Sequence, residues 1–457
     1  MSNILQNILL SVFFIIVARQ YTKSDFANYI IANTIYTFVL GFSTLGLGYW
    51  FIRELVNTTD KNKLLYKFFK MQLYIGVVFY LINIIISFSL YQNELIRSLS
   101  LIIGINIVFD NVIYVIKSLN IAEFQQKKTF VLLVVEAFLK LIIAVILFFY
   151  PMQLYVLAFF LIALRLITLN LFVRYGCSNT ISLKKILLVE ISFKEVKELI
   201  ATNWSFVVIG SLSVVNWKVG NIFISKFLNL SDVANYEISF KILSLAYIIP
   251  VIVSSSIYPN LLNAYKVSVD KMKSIYYNIY FPFSIFGIIS FTFIFSYADY
   301  LIPLLFGQKY HDASACCKEM FLVMLIFPTL FIQANVLMTL KLEKLDMWCN
   351  LISLLVNVTL CYFGLIFFKS VSVVNYSIFI SIFCFHLAQD IILIRRKIAT
   401  IKHVLIFYFS TAFIVLLYYY LNTLIIKEIL FFTFWLSFGI VACCIYFYRN
   451  KNINPAK

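Results

Sequence analysis

The sequence predicts an all-α polytopic membrane protein of about fourteen transmembrane helices, arranged as two pseudo-symmetric six-helix bundles and a C-terminal helix pair. Three observations carry this expectation. Of 457 residues, 63% are hydrophobic and only 12% charged, and the mean hydropathy of +0.95 exceeds what a water-soluble core needs. Long apolar stretches recur along the whole chain. A short string is also written twice: Ser24-Asp25-Phe26-Ala27-Asn28-Tyr29 returns 207 residues later as Ser231-Asp232-Val233-Ala234-Asn235-Tyr236, five of six residues identical. Each copy follows an apolar segment ending in a base, Arg19 or Lys226, and precedes another. Repeated bundles in a membrane protein point to a transporter with a site near the repeat interface.

Apolar stretches long enough to cross a bilayer fall near 2–18, 27–50, 71–91, 99–117, 129–150, 152–173, 203–227, 234–258, 278–298, 318–341, 347–368, 371–394, 403–425 and 428–448. They define an N-terminal bundle (1–173), a linker (174–202), a C-terminal bundle (203–394) and a final pair with its tail (395–457). The linker is basic, and an interfacial helix is expected around Leu183–Leu199. The 207-residue offset aligns span 1 with span 7 and span 2 with span 8. Met1 then corresponds to Val208, so span 1 is a turn or two shorter than its partner. No cleavable signal peptide is expected, because the first apolar segment lacks a small-residue cleavage site.

The net charge is +17, but the bases sit in short loops. Loops on one side hold 25 Lys and Arg, and loops on the other hold 8. The positive-inside rule puts both termini in the cytoplasm, as an even number of spans requires. The bases are topology signals, and no nucleic-acid partner is expected. The longest external connection, about 299–317, has no room for a catalytic domain.

Ionisable residues inside spans are costly and face partners or water. Asp110, Glu136, Lys140 and Arg165 fall at about 10–16 Å from the cytoplasmic helix ends at 1.5 Å per residue. Glu136 and Lys140, four apart, share a helix face. Two acids and two bases read as a neutral network stapling spans 4–6, or as an ion- or proton-coupling site. Lys218 falls about 13 Å and Lys241 about 10 Å from the outer helix ends, with Glu237 one turn from Lys241. Two bases against one acid leave a positive excess suited to a wet cavity that attracts phosphate or acidic sugars, or else staple a helix pair. His386 and Asp390, also four apart, form a further candidate for proton coupling or a structural ion pair. Asn28, Asn33, Thr34, Asn203, Asn216, Asn221, Ser244 and Ser254 interrupt spans 2, 7 and 8, which suits sugar hydroxyls.

No catalytic signature emerges and no enzyme activity is expected. The three histidines are isolated. The adjacent pairs Cys316-Cys317 and Cys443-Cys444 lack metal-ligand spacing. Phosphate-binding glycine motifs are absent, so no cofactor and no metal are expected.

Several segments resemble one family. Ala18-Arg19-Gln20-Tyr21 followed by Ser24 to Tyr29 resembles the "ARxLGxxxFGxY" turn between the first two spans of Wzx-type polysaccharide flippases. Leu45-Gly46-Leu47-Gly48 with Arg53-Glu54-Leu55 resembles that family's "GLG…xREL" end of span 2. Lys117-Ser118-Leu119-Asn120 through Gln125-Gln126-Lys127-Lys128 looks like its span 4–5 loop. The turn differs in carrying Thr22 and Ala27 where the family has Gly. The resemblance implies the multidrug/oligosaccharidyl-lipid/polysaccharide (MOP) exporter fold in the bacterial inner membrane. It implies translocation of undecaprenyl-pyrophosphate-linked oligosaccharide units by alternating access, for O-antigen or another surface polysaccharide of the lipopolysaccharide type. Partners would be the lipid-linked oligosaccharide, a polysaccharide polymerase and a chain-length regulator. By analogy Arg19, Arg53, Lys218 and Lys241, with Glu237, are candidates for gripping pyrophosphate or acidic sugars, and spans 13–14 for offering the lipid tail a groove. Three other readings compete. A MATE-like antiporter would stop at twelve spans and use an acidic cavity, an O-antigen polymerase would carry a large periplasmic loop, and a scaffold would have no use for intramembrane charge.

Overall fold

The structure is a computed structural model that describes residues 2–176, 186, 188–424, 426–427 and 429–439. Among these residues helices account for nearly the whole chain and no strand occurs. In order they are α1 (Ser2–Gln20), α2 (Lys23–Ser43), α3 (Gly48–Asn57), α4 (Lys61–Leu90), α5 (Glu94–Gly104), α6 (Asn106–Ala122), α7 (Gln126–Phe149), α8 (Leu154–Leu171), α9 (Phe193–Phe227), α10 (Leu230–Val267), α11 (Val269–Phe306), α12 (Ala313–Met320), α13 (Phe327–Thr339), α14 (Glu343–Phe368), α15 (Val371–Arg395), α16 (Ile401–Leu421) and α17 (Ile429–Gly439). Counting α5 with α6 and α12 with α13 as single crossings, ten helices among the described residues are long and apolar enough to span a membrane, and Leu5–Gln20 and Ile429–Gly439 are shorter apolar helices. Each of the fourteen predicted stretches overlaps helix within its described residues.

The repeated string has a structural cause. In its first copy the Thr22 hydroxyl caps α2, accepting from the Asp25 backbone N–H at 3.1 Å and donating to the Asp25 carboxylate at 2.7 Å. In the second, the Asp232 carboxylate accepts from the Asn229 N–H at 3.2 Å. Both carboxylates sit in the first turn of a helix, where the dipole favours negative charge. Phe26, Ala27, Asn28 and Tyr29 are buried, and so are Val233, Ala234, Asn235 and Tyr236. The string is thus a capped helix start whose next turn is buried on every side, used twice.

Three predicted spans are interrupted. Span 2 breaks at Thr44–Leu47, where Leu45 (φ 49) and Gly46 (φ 59) both adopt the left-handed region. Glycine tolerates this conformation and leucine pays for it. The freed backbone groups find partners: the Gly48 N–H donates to the Tyr114 hydroxyl at 2.8 Å, and the Thr44 carbonyl accepts from the Gln72 amide at 3.3 Å. Around the break a core of Leu47, Phe51, Phe68, Ile113 and Ile116 closes, with the Phe51 and Phe68 rings stacked 4.4 Å apart. Span 4 is jointed at Ile105, and span 10 passes through a 3-10 segment, Phe321–Leu325. The interfacial-helix expectation at 183–199 lies partly outside the described residues. From a capping box at Ser192 the chain enters α9, which runs on to Phe227 with non-helical backbone at Asn203, where span 7 was expected to begin.

Contacts divide the chain into two compact units, Met1–Lys241 with Asn350–Ile378, and Ile242–Cys349 with Phe379–Lys457. In the first unit α2 packs on α4, α5 and α9, α1 on α7, and α4 on α6. In the second unit α11 is the hub for α12, α13 and α16.

Candidate functional site

The first unit contains a cavity of about 230 Å³ lined by Phe14, Tyr29, Asn33, Tyr36, Asn106, Glu136, Lys140, Arg165 and Lys241, among others. Arg165 from α8 is the hinge of its charge network. One guanidinium nitrogen pairs with Asp110, and the other donates to Glu136 at 2.6 Å. The second Glu136 oxygen takes the Lys140 ammonium at 2.8 Å. The Tyr36 hydroxyl donates to the remaining Asp110 oxygen. Asp110 and Glu136 are both buried, so their charge is tolerated because it is paired and hydrogen-bonded. Lys241 reaches the same cavity, its ammonium 5.6 Å from the centre of the Phe14 ring. With Lys140, Arg165 and Lys241 against Asp110 and Glu136, these five side chains carry a formal charge of +1.

This corrects the expectation of two separate groups, one in each half of the membrane. Lys241 joins Glu136, Lys140 and Arg165 instead. The helix ends explain it. Lys241 stands eleven residues from the start of α10 at Leu230, and Arg165 eleven from the start of α8 at Leu154. Glu136 stands thirteen from the end of α7 at Phe149, beside that same turn. These are comparable depths, about 16–20 Å at 1.5 Å per residue. The expected excess of positive charge at Lys218 is also reduced, because its ammonium donates to Glu237 at 2.8 Å while Asn221 engages the other Glu237 oxygen. Arg19, at the end of α1, and Arg53, midway along α3, are exposed and do not line this cavity.

In the second unit, His386 and Asp390 come together as their spacing predicts. The His386 Nδ1 lies 3.2 Å from Asp390 and 2.6 Å from the Tyr408 hydroxyl. Asp390 also accepts from Gln333 at 2.6 Å and from Tyr408 at 2.9 Å. Beside them a largely apolar cavity of about 420 Å³ opens between α11, α16 and α17, lined by Tyr280, Ile288, Asp390, Phe407, Ile414 and Trp435 among others. Among the described residues no group of three or more His, Cys, Asp or Glu could hold a metal ion.

The family described as "Polysaccharide biosynthesis protein" matches residues 16–315, more than half of the sequence. The chain belongs to that family. No curated protein matches it. Solved structures with the same fold include a multidrug resistance MATE-family transporter of the MOP superfamily in an inward-facing conformation. It is 12% identical, with 87% of this chain and 96% of that one covered, at a TM-score of 0.70. The lipid II flippase MurJ in an inward closed conformation is 15% identical, with 97% and 98% covered, at a TM-score of 0.68. At such identities the likeness is one of fold, and it establishes the MOP-type helical architecture expected from the sequence.

Sequence reasoning missed Tyr36, Tyr408 and Thr329 as parts of the charged networks. The chain has 30 tyrosines, and most read as interfacial anchors. No spacing distinguishes those whose hydroxyl meets a buried carboxylate.

Proposed function

We propose that the protein is a flippase that moves undecaprenyl-pyrophosphate-linked oligosaccharide units across the bacterial inner membrane by alternating access, serving O-antigen or another surface polysaccharide. The observation that carries this reading is the first unit's polar cavity with its net positive lining. An anionic pyrophosphate gains from a cation in a low-dielectric cavity. Tyr29, Asn33 and Asn106 supply the mixed donors and acceptors that sugar hydroxyls use. The apolar cavity along α11, α16 and α17 suits the isoprenoid tail, which stays among apolar side chains while the head crosses. Both termini would lie in the cytoplasm, from the loop charge bias. A polymerase and a chain-length regulator would act on the delivered units. A drug-cation antiporter fits less well, because Arg165 and Lys140 already pair with Glu136, the carboxylate that lines the cavity.

The test is the sidedness of the lipid-linked unit in a deletion strain, read together with surface polysaccharide. The reading expects accumulation at the cytoplasmic leaflet and loss of surface polymer, restored by wild type and by Lys241→Arg but not by Lys241→Ala. Units that reach the outer leaflet unpolymerised would overturn it and favour a polymerase.

A further inference from the structure

The connections α1–α2 and α7–α8 meet the first turn of α5 at one end of the first unit. Between them opens a cleft of about 410 Å³, lined by Tyr21, Asp25, Leu95, Pro151, Gln153 and Tyr155 among others. It shares no lining residue with the charged cavity. By the loop charge bias this end would face the exterior.

The lining has a definite chemistry. The Thr22 hydroxyl donates to one oxygen of the half-buried Asp25 carboxylate at 2.7 Å. A carboxylate has acceptor sites on both oxygens, so capacity for further donors remains. Gln153 is exposed and stands at the N-cap of α8, yet its side chain makes no capping bond. The first turn of α8 therefore brings backbone N–H donors that no side chain caps, and the Gln153 amide adds both donor and acceptor. Tyr155 is half-buried, which leaves part of its ring accessible in the cleft.

Among the described residues no lysine or arginine lines the cleft. A phosphate or acidic sugar would meet the Asp25 carboxylate with no base to offset it. An apolar chain would bury that carboxylate without a partner. An organic cation would use the carboxylate and the ring and leave the α8 donors idle. A neutral sugar uses all three. Its hydroxyls donate to Asp25, its oxygens accept from α8, and its C–H face lies on the tyrosine ring.

Helix α2 ties the cleft to the charged cavity. Asp25, Tyr29, Asn33 and Tyr36 follow one face of α2 at helical spacing. Asp25 lines the cleft, and the other three line the cavity. From Asp25 to Asn33 the helix rises about 12 Å at 1.5 Å per residue. A sugar chain whose anionic head sits among Lys140, Arg165 and Lys241 would reach the cleft by following this face.

We propose that the cleft is a second binding site, one for neutral saccharide. The class of ligand follows from the lining itself. The use of the site, to hold the sugars at the exit side, rests on the flippase reading.

The experiment is saturation-transfer NMR on the full chain in lipid nanodiscs. Maltotriose and triacetylchitotriose are the neutral probes, trigalacturonic acid the acidic one and tetraethylammonium the cation. The expected result is transfer to the ring C–H protons of a neutral trisaccharide, stronger than to trigalacturonic acid. Asp25→Asn is expected to weaken that binding about tenfold, the loss of one charge-assisted hydrogen bond. Tyr155→Ala is expected to abolish it and Tyr155→Phe to keep it, because the ring face makes the contact. The tyrosine variants keep the test open if Asp25→Asn does not fold. Transfer to neither neutral trisaccharide, stronger transfer to the acidic trimer, transfer to tetraethylammonium alone, or binding that survives Tyr155→Ala overturns the site. The sidedness assay plays no part in this readout. Saccharide binding with normal sidedness in the deletion strain would remove the flippase reading and leave the cleft, and the reverse pair of results would remove the cleft alone.

Discussion

Replacing Arg165 with methionine tests whether the charges of the first unit form one network or merely sit near one another. The guanidinium bridges two buried carboxylates, and the two would not suffer equally. Glu136 keeps Lys140 at 2.8 Å. Asp110 keeps the Tyr36 hydroxyl and loses its cation. Removing one partner of a buried pair costs about 3–5 kcal/mol, and the cavity beside Arg165 puts the expected loss near about 3 kcal/mol. The double variant Arg165→Met/Asp110→Asn removes the stranded charge and should recover most of it. The assay is unfolding in mixed micelles by detergent titration for wild type, both single variants and the double. A coupling energy of about 1.5–3 kcal/mol is expected from the cycle. A value below about 0.5 kcal/mol, the additivity limit for independent sites, would refute the network.

Three further outcomes follow from local geometry. Thr22→Ala removes the cap of α2 and should cost about 1 kcal/mol in the same unfolding assay, whereas Thr22→Ser should keep most of it. Gly48→Ala would bring a methyl within 2.3 Å of the Tyr114 hydroxyl. The Tyr114 side chain must then move and release the Gly48 N–H, at about 1–3 kcal/mol, and Gly48→Ala/Tyr114→Phe should not be additive. The Glu195 carboxyl is held below its ordinary range by the Lys67 ammonium, with help from the Ser192 N–H. Its contribution is therefore present above the unfolded value and lost as pH falls through the folded one, below about pH 4. Hydrogen exchange at the start of α9 should rise over that window in wild type, and Glu195→Gln should show the raised exchange at neutral pH as well.

What the sequence made legible was what depends on local pattern. The apolar runs marked where helices lie because bilayer thickness fixes their length. The pairs Glu136–Lys140 and His386–Asp390 were legible because a four-residue spacing on a helix forces contact. Depth was not legible, because it was counted from guessed helix ends. Helix α10 runs for 38 residues, so the guessed outer end of its span falls short of the true one, and Lys241 was separated from partners at its own level. The break at Leu45–Gly46 also escaped, since Leu45-Gly46-Leu47-Gly48 reads as ordinary apolar sequence and only the left-handed backbone marks it.

The two units handle buried charge differently, and the difference bears on function. In the first, the buried carboxylates Asp110 and Glu136 are matched by the guanidinium of Arg165 and the ammonium of Lys140. In the second, Asp390 is matched by an imidazole, the one side chain whose unperturbed titration lies near neutrality. A cavity with an excess of basic side chains suits holding an anionic head. Substituting Lys241, which lines the charged cavity, is expected to weaken headgroup binding, whereas substituting His386, in the other unit, is expected to leave it unchanged. Pyrophosphate-headgroup binding to each variant, measured at two pH values, separates the two assignments. Equal effects of the two substitutions at both pH values would mean that the division of labour is wrong.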